Sequence, residues 1–368
     1  MKRRHLLPCA VAAATVACGA PQTNSSESRL LTQPFVRWRM ATSWPKTLDI
    51  AFGTANGICQ RISAMTSGRF TITPYGSGEL ISGLDVLDAV GDGTVECGHT
   101  ASYYYSDRNP ALAFGTAVPF GFNAQQQAAW LLQGGGLEAI RRIYADFNVT
   151  TFPGGSTGAQ MGGWFTREID SVAALKNLKM RIPGLGAEVL QRFGVQTRVL
   201  AGDKIFAALD AGEIDAAEWV GPYEDRRLGL DRIASYYYYP GWWEPGTTYE
   251  IQVNQSAWSA LPQDYQEVFQ AAVASISSEM INQYDAVNSQ ALEQLVAQGT
   301  QLRPYPDDIL QQMRQAAFDL YDEMAVEPEF DAVYSSWKAF RRRLYEWNRV
   351  NELSFARFSF TSPLDLGQ

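Results

Sequence analysis

The sequence predicts an α/β protein of two lobes with long helices at its C-terminal end. Strand and helix patterns alternate over the first hundred residues, the same alternation returns over 178–220, and the chain is helical in character from Gln263 onward. Alternating strands and helices are typical of mostly parallel sheets with helices packed against them. The chain has 368 residues, which is long enough for two such units.

The first unit has the order β-α-β-α-β. Apolar residues alternate along 35–40, 69–75 and 95–99, which predicts three strands. Helical periodicity over 49–65 and 84–90 predicts the two helices between them.

The second unit repeats this order. Strands are predicted over 178–183, 195–200 and 214–220, with helices over 187–193 and 204–211 between them. No Pro- or Ser-rich linker separates the two units, which indicates intertwined lobes.

The remaining sequence sets the predicted boundaries. Helical patterns without proline cover 263–298, and further helices are predicted over 307–324 and 330–348. We expect a leader at 1–20, a flexible tether at 21–34, lobe I at 35–155 and 221–258, lobe II at 156–220 and 259–329, and a C-terminal helix and tail at 330–368.

The N-terminus is typical of an export signal. Lys2, Arg3 and Arg4 precede an apolar run that is too short to span a membrane. The two arginines fit a loose twin-arginine signal. Residues 15–18 resemble a lipobox with Cys18 as the acylated residue, and the alternative is ordinary cleavage with loss of Cys18. We therefore predict a periplasmic protein, either free or lipid-anchored.

Charge argues against one class of partner, and the cysteine content leaves two possible states for the remaining cysteines. The formal net charge is −9, so nucleic acid is not an expected partner. Beyond the leader only Cys59 and Cys97 remain, and they are either a disulfide or two buried thiols.

Motifs of catalysis match by letter only. Residues 154–158 fit G-x-S-x-G, but that motif needs a later histidine as base, and the sequence has only His5 and His99. The glycines at 134–136 and 184–186 are interpreted as turns. We expect no catalytic residue, and the alternative is a metal-dependent enzyme with Glu218 and Glu244 as an acid–base pair.

Arg181 is the first candidate ligand residue. It lies between Met180 and Ile182 in an apolar strand, where a guanidinium needs a partner. A carboxylate ligand would accept two parallel hydrogen bonds from it. An internal salt bridge or a solvated strand edge is the alternative.

Two carboxylates are embedded in apolar sequence. Glu218 closes a predicted strand, and Glu244 lies among aromatic residues and turns. Such acids are protonated, paired or bound to a cation. Together with an amide such as Gln160 they suit a hard cation, Na⁺ or Ca²⁺. A loop whose aromatic rings simply pack the core is the alternative.

The chain resembles the solute receptors of TRAP transporters, the DctP-type family. The segments that carry this resemblance are Ala41–Pro45, Gly154–Phe165, Lys179–Gly184, Ala208–Trp219 and Tyr236–Gly246. The resemblance implies a two-lobed periplasmic-binding-protein fold (type II-like) with a hinge, and delivery of ligand to a separate membrane permease. It is strongest for the branch that binds 2-oxo acids such as pyruvate, or lactate with a metal ion. An amino acid or a dicarboxylate is the alternative ligand.

The resemblance also implies roles for residues. Arg181 would clamp the ligand carboxylate, and Gln160, Glu218, the backbone carbonyl of Trp219 and Glu244 would hold Na⁺ or Ca²⁺ between protein and ligand. No organic cofactor is implied. The residues expected to contact the ligand are Arg181, Gln160, Trp44, Tyr104 (as one of three consecutive tyrosines), Ser156, Trp219 and Glu244.

Two further expectations follow from the family. Ser156 stands where many relatives have Asn, so the size or orientation of the ligand can differ. The C-terminal helix is a candidate dimerisation element, because Val333, Trp337, Phe340 and Trp347 share one of its faces.

Overall fold

The structure is a computed structural model that describes Leu30 and residues 32–361. The predicted leader, with Cys18, and most of the tether lie outside the described residues. No helix in the described part of the chain is long and apolar enough to cross a membrane.

Eleven strands occur within the described ranges, and they confirm every strand that the sequence predicts. They are β1 (Val36–Thr42), β2 (Phe70–Tyr75), β3 (Cys97–Thr100), β4 (Val149–Gly158), β5 (Trp164–Phe165), β6 (Lys179–Arg181), β7 (Gln196–Arg198), β8 (Ala216–Ala217), β9 (Tyr236–Tyr239), β10 (Thr247–Asn254) and β11 (Gln301–Pro304).

The predicted helices are also present, within a few residues of their expected ends. In residues 32–361 the α-helices are α1 (Ala51–Met65), α2 (Val86–Gly91), α3 (Ala113–Thr116), α4 (Ala124–Gln133), α5 (Gly136–Ala145), α6 (Gly184–Gln191), α7 (Gly202–Asp210), α8 (Pro222–Leu228), α9 (Gln255–Ala260), α10 (Gln263–Ala297), α11 (Asp307–Met324), α12 (Pro328–Val350) and α13 (Glu352–Thr361).

Local sequence explains the bounds of α1. Its buried residues recur every three or four positions, from Ala51 through Ile58 to Ile62. The helix ends where Ser67 and Gly68 both adopt positive φ angles, 50° and 74°. Glycine takes this conformation without steric cost, so the chain leaves the helix and enters β2.

Two sheets form the frame of the two lobes. The first has the order β2-β1-β3-β10-β4 and the second β11-β9-β5-β8-β6-β7. In the first sheet β1 pairs in parallel with β2 and β3, as the alternating pattern predicts. β10 is antiparallel to both of its neighbours.

The second sheet departs from the predicted lobe boundaries at β9. The sequence prediction puts 221–258 in lobe I, but β9 lies in the second sheet. It pairs with β5 and β11 through Tyr236–Tyr239. The reason is that the inner rings of β9 pack on the second lobe, with Tyr237 stacked on Trp164 at 4.0 Å between ring centroids.

Within the described residues the chain crosses between the sheets three times, once through the stretch from β10 to β11 that contains α10 and twice through short segments. One is 159–163, between β4 and β5, and the other is 240–246, between β9 and β10. The segments contact each other, because the amide of Gln160 donates to the carbonyl of Glu244 (3.2 Å) and the amide of Gly241 donates to that of Gln160 (3.2 Å). Residues on them therefore lie at the junction of the lobes.

Cys59 and Cys97 are buried free thiols, which decides between the two alternatives that the sequence left open. Cys59 lies on α1 and Cys97 on β3, in the apolar core beside the first sheet. Burial raises the pKa of the Cys97 thiol well above its usual range.

Candidate ligand-binding site

Arg181 is held at the end of β6 with almost no exposure, 1%. Its Nε donates to the carbonyl of Leu200 (3.1 Å), and its Nη1 donates to both the carbonyl and the carboxylate of Glu218. Its Nη2 has a longer contact, 3.4 Å, to the hydroxyl of Tyr104. The internal salt bridge foreseen as an alternative is thus present, and Nη2 is left with the weakest partner.

Glu218 follows β8 and is completely buried. One carboxylate oxygen pairs with Arg181, and the other has no hydrogen-bond partner within the described residues. Burial raises the pKa of Glu218 well above its usual range, and the nearby Glu244 carboxylate raises it further, while Arg181 opposes both effects. An unpartnered carboxylate oxygen in such surroundings calls for a proton or a cation.

Glu244 lies on the crossover before β10. Its carboxylate accepts a hydrogen bond from the hydroxyl of Thr247 at 2.7 Å. Burial raises the pKa of Glu244 to about 7, and hydrogen bonding from Thr247, Tyr103 and Gln160 opposes this rise. Gln160 is on the other crossover, and its amide nitrogen donates to Thr157 (3.3 Å).

Aromatic rings enclose this polar cluster. Trp44, from the loop after β1, stacks on Tyr249 at 4.0 Å and meets Trp219 of the second lobe at 6.4 Å between centroids. The guanidinium of Arg181 lies over the Trp219 ring at 5.1 Å. The rings exclude water, which strengthens charge interactions inside the cluster.

The structure gives different roles to the three consecutive tyrosines. Tyr104 contacts Arg181, and the Tyr103 side chain lies near Glu244, where it lowers the pKa of that carboxyl. Tyr105 turns away, since its hydroxyl interacts with Thr100 (2.9 Å) and accepts the amide of Leu87.

Ser156 has its hydroxyl engaged with backbone. The hydroxyl donates to the carbonyl of Thr247 (2.8 Å) and accepts the amide of Gly158 (3.2 Å). Its neighbour Thr157 is buried, and the Thr157 hydroxyl accepts a hydrogen bond from the side-chain amide of Gln160. Sequence reasoning missed Thr157, Thr247 and Tyr249, although Thr157 is adjacent to Ser156 and Thr247 lies three residues after Glu244.

The donor set fits a hard cation. Glu218 Oε2 and Gln160 Oε1 are both buried without a hydrogen-bond partner among residues of the described part, and Glu244 is adjacent. Oxygen donors of this kind suit Na⁺ or Ca²⁺. In that part of the chain no group of three or more His, Cys, Asp and Glu residues is placed to hold a metal, so an ion here depends on amide and backbone oxygens as well.

The G-x-S-x-G match does not form a nucleophile elbow. Residues 154–158 run inside β4, and the ring of His99 accepts from Trp44 and contacts the carbonyl of Gly154 rather than a serine. Burial lowers the pKa of His99 to about 4, so the ring is neutral near pH 7.

A surface groove of about 800 Å³ lies apart from the cluster. It is lined by the second crossover segment and by α12, with Pro240, Trp242 and Arg341 among its residues. The predicted apolar face of α12 is divided, because Val333 and Trp337 are buried whereas Trp347 is 60% exposed.

Comparison with known proteins agrees with this arrangement. The family model for bacterial extracellular solute-binding proteins of family 7, DctP, matches residues 40–327. A monocarboxylate 2-oxoacid-binding periplasmic protein of Nostoc sp. PCC 7120 is 56% identical over 367 residues, which cover 98% of this chain and all of the relative.

Two solved structures are similar over most of their length. A TRAP transporter solute-binding protein from Bordetella bronchiseptica RB50, a dimer with copurified calcium and picolinate in one site, has 42% identity and a TM-score of 0.88, covering 89% of this chain and 98% of its own. One from Pseudoalteromonas atlantica T6c, with bound sodium and pyruvate, has 35% identity and a TM-score of 0.85, covering 88% and 99%.

The two lobes, the charged cluster at their junction and these matches lead to one assignment. The chain belongs to the DctP family of bacterial extracellular solute-binding proteins, the solute receptors of TRAP transporters.

Proposed function

We propose that this protein binds a small 2-oxo or 2-hydroxy monocarboxylate, such as pyruvate or lactate, between its lobes and delivers it to a TRAP permease without chemical change. The observation that carries the proposal is the buried cluster of Arg181, Glu218 and Glu244 at the lobe junction. The Nostoc relative is named for 2-oxo acids, and the Pseudoalteromonas structure holds pyruvate with sodium.

Arg181 would receive the ligand carboxylate. Its Nε and Nη1 are already committed to Leu200 and Glu218, so Nη2 and the adjacent Tyr104 hydroxyl are the groups that would turn to the ligand. Both are donors, as a carboxylate requires. The sequence predicts that the guanidinium of Arg181 donates two parallel hydrogen bonds to the ligand. In the structure one side of the guanidinium is bonded to Glu218, so only Nη2 is left to donate to the ligand.

Gln160, Glu218, the Trp219 carbonyl and Glu244 would hold a sodium or calcium ion. When bound, the ion would supply positive charge to the carboxylate and keto or hydroxyl oxygens of the ligand. Without a cation the two acids either bind a proton or, when charged, outnumber the one guanidinium and repel an anionic ligand. The proposed cation reverses that balance.

The aromatic wall limits the size of the ligand. Trp44 stacks on Tyr249 and meets Trp219 across the cleft, which leaves little room beyond the polar cluster. A short side chain on the 2-oxo acid therefore suits the site better than a second carboxylate, since a second carboxylate would need another buried cation. A dicarboxylate or amino acid remains the competing ligand class in the test below.

Substitution of Arg181 tests this function. We expect Arg181→Ala to reduce pyruvate affinity at least 100-fold in calorimetry with 1 mM CaCl₂ (about 3 kcal/mol), because a buried charge-assisted hydrogen bond to the ligand is lost. Arg198→Ala is the matched control, since Arg198 is paired with Arg181 across β6 and β7 but is exposed.

Two outcomes contradict the proposal. Wild-type protein that binds glutamate or succinate but not pyruvate or lactate would exclude the monocarboxylate class. Equal pyruvate affinity of Arg181→Ala and Arg198→Ala would exclude the clamp. Circular dichroism of both variants controls for folding, and Arg181→Lys, which keeps the charge next to Glu218, serves if the alanine variant does not fold.

Export and assembly complete the proposal. The leader and the family support a periplasmic protein, with lipid attachment at Cys18 as one form of it. Exposed aromatic residues on the last two helices, Trp347, Phe355 and Phe358, support a homodimer through this region. The DctP family is one of transport receptors, and we propose no catalytic role for Glu218 and Glu244.

A further inference from the structure

Glu224 is a buried acid that the ligand cluster does not use. It lies on α8, and its side chain is completely buried. α8 belongs to the second lobe, because the next residue, Asp225, accepts hydrogen bonds from Trp164 of β5 (2.9 Å) and Tyr237 of β9 (2.7 Å).

The partner of Glu224 lies in the first lobe. Glu224 Oε1 accepts the backbone amide of Ala51, the first residue of α1, at 3.2 Å. α1 packs against β2 of the first sheet. The same oxygen accepts the hydroxyl of Tyr284 (3.0 Å) from α10, and Oε2 has no hydrogen-bond partner in the described residues.

The N-terminus of α1 lacks a side-chain cap of its own. Its N-cap position is Ile50, which makes no capping hydrogen bond, and its first turn contains no acidic residue. The first amides of a helix need acceptors, and the partial positive charge there favours a carboxylate. Glu224 supplies this carboxylate from the other side of the cleft.

Two residues of α8 make exposed contacts around this bond. Tyr223 donates its hydroxyl to Asp49 at 2.9 Å. Arg227 donates to the carbonyl of Thr47 (3.0 Å) and forms an ion pair with Asp49 (3.2 Å). Exposed pairs of this type contribute little, so the buried Glu224 contact is the main element of the set.

We propose that Glu224 is a positioning residue for ligand binding, which holds the two lobes closed by capping α1 across the cleft. It touches neither the ligand cluster nor the proposed cation site, and it acts through the closed arrangement of Trp44 and Trp219. The inference rests on the proposed function, since ligand is retained only while the lobes are closed.

The expected effect follows from the closure equilibrium. Apparent affinity falls in proportion to the fraction of closed protein, and loss of one helix cap changes that equilibrium by about 5-fold. Open protein does not contain the bond to Ala51 and keeps at most the bond to Tyr284, so its stability should depend on Glu224 less than the affinity does. A purely structural residue would affect the open and closed forms equally.

The experiment measures pyruvate affinity and dissociation rate in 1 mM CaCl₂ for wild type, Glu224→Ala and Glu224→Gln, with Glu267→Ala on the exposed face of α10 as control. We expect about 5-fold weaker binding and faster dissociation for Glu224→Ala, and a smaller loss for Glu224→Gln, which keeps an acceptor oxygen. The thermal midpoint of the ligand-free protein should fall by less than the loss of affinity would require, because only the bond to Tyr284 remains to be lost in open protein.

The inference is overturned if Glu224→Ala binds pyruvate as tightly as wild type. It is also overturned if the stability lost by the ligand-free variant accounts for its whole loss of pyruvate affinity. If Glu224→Ala does not fold, Glu224→Gln decides, and its equality with wild type overturns the inference.

Failure of the proposed function gives a separate result, because wild type would then not bind pyruvate. The contact between Glu224 and α1 is in that case judged from hydrogen exchange of the Ala51 amide in the purified proteins. Faster exchange in the Glu224 variants supports the inference, and equal exchange overturns it.

Discussion

His99 fixes the orientation of Trp44 in the wall of the site. Its Nδ1 accepts the indole N–H of Trp44 at 3.1 Å, and its Nε2 lies 3.0 Å from the carbonyl of Gly154. An indole nitrogen can only donate, so Nδ1 must be unprotonated and Nε2 must carry the proton. One tautomer of His99 on β3 therefore links the ring of Trp44 to the backbone of β4.

This arrangement predicts a histidine that does not titrate near neutral pH. Burial lowers the pKa of His99 to about 4, against the weaker opposing effect of Gly154. We expect ¹⁵N NMR of protein without its leader to show one neutral histidine, protonated on Nε2, from pH 5.5 to 8. Titration near pH 6.5, or the Nδ1-protonated tautomer, would contradict the assignment.

Glu250 predicts a pH-dependent cost to stability. It is buried on β10 and accepts a hydrogen bond from Thr151 at 3.1 Å. Burial raises its pKa from 4.5 to about 7. Between these values the folded state binds more protons than the unfolded state, so stability falls as pH rises.

Replacement by glutamine removes that cost. We expect the difference in unfolding free energy between Glu250→Gln and wild type to change with pH. It should move by about 2 kcal/mol in favour of the variant as the pH rises from 5.5 to 8, as measured by urea titration. Glu267→Gln, an exposed change on α10, should follow the wild-type profile. If the unfolding free energies of Glu250→Gln and wild type change with pH in the same way, the pKa of Glu250 is not raised by burial.

At this scale the sequence predicts residue types better than their contacts. Arg181, Glu218, Glu244 and Gln160 are recognisable because each is a polar group in apolar or rigid sequence, and the structure brings them together. That one oxygen of Glu218 pairs with Arg181 depends on the register of β6 against β8, which connects distant parts of the chain. No local pattern contains that information.

Strand β4 and helix α10 fit together through a glycine. Gly155 has a φ angle of 131°, and a Cβ atom there would collide with the sulfur of Met280. We expect Gly155→Ala to lower the unfolding free energy by about 2–4 kcal/mol, from backbone strain and overpacking together.

Gly53 provides the matched control for this substitution. It lies within α1, and a Cβ atom added there would have no other atom within 4 Å. Alanine favours a helix interior, so Gly53→Ala should raise stability by about 0.5–1 kcal/mol. Equal effects of the two substitutions in urea unfolding would contradict the close contact between β4 and α10.

The elements are predictable where periodicity is regular. The sequence pattern indicates a helix over 263–298, and α10 is Gln263–Ala297. The sequence does not predict β4, because Pro153 and three glycines interrupt its alternation. Its strand geometry depends on β10, against which it pairs with two register shifts.

At the scale of the molecule, α10 joins the two lobes. Its 35 residues give it a length of about 50 Å, and it packs against β4 and α1 of the first lobe and α8 of the second. The predicted boundary that assigns this helix to lobe II alone does not describe it. A sequence divides poorly into lobes when one helix contributes to both cores.

This shared helix, with the cluster at the lobe junction, predicts that the protein unfolds as one unit and that ligand and cation stabilise it together. In scanning calorimetry we expect a single transition, shifted upward by roughly 5 °C when pyruvate and CaCl₂ are both present at about 100 times their dissociation constants. Pyruvate after exhaustive chelation in sodium-free buffer should give a much smaller shift, since Glu218 and Glu244 would then be protonated or would repel the ligand, and no ion would hold its oxygens. An equal shift without cation would exclude the bridging ion. Two transitions, with only one responding to ligand, would show that α10 does not couple the lobes.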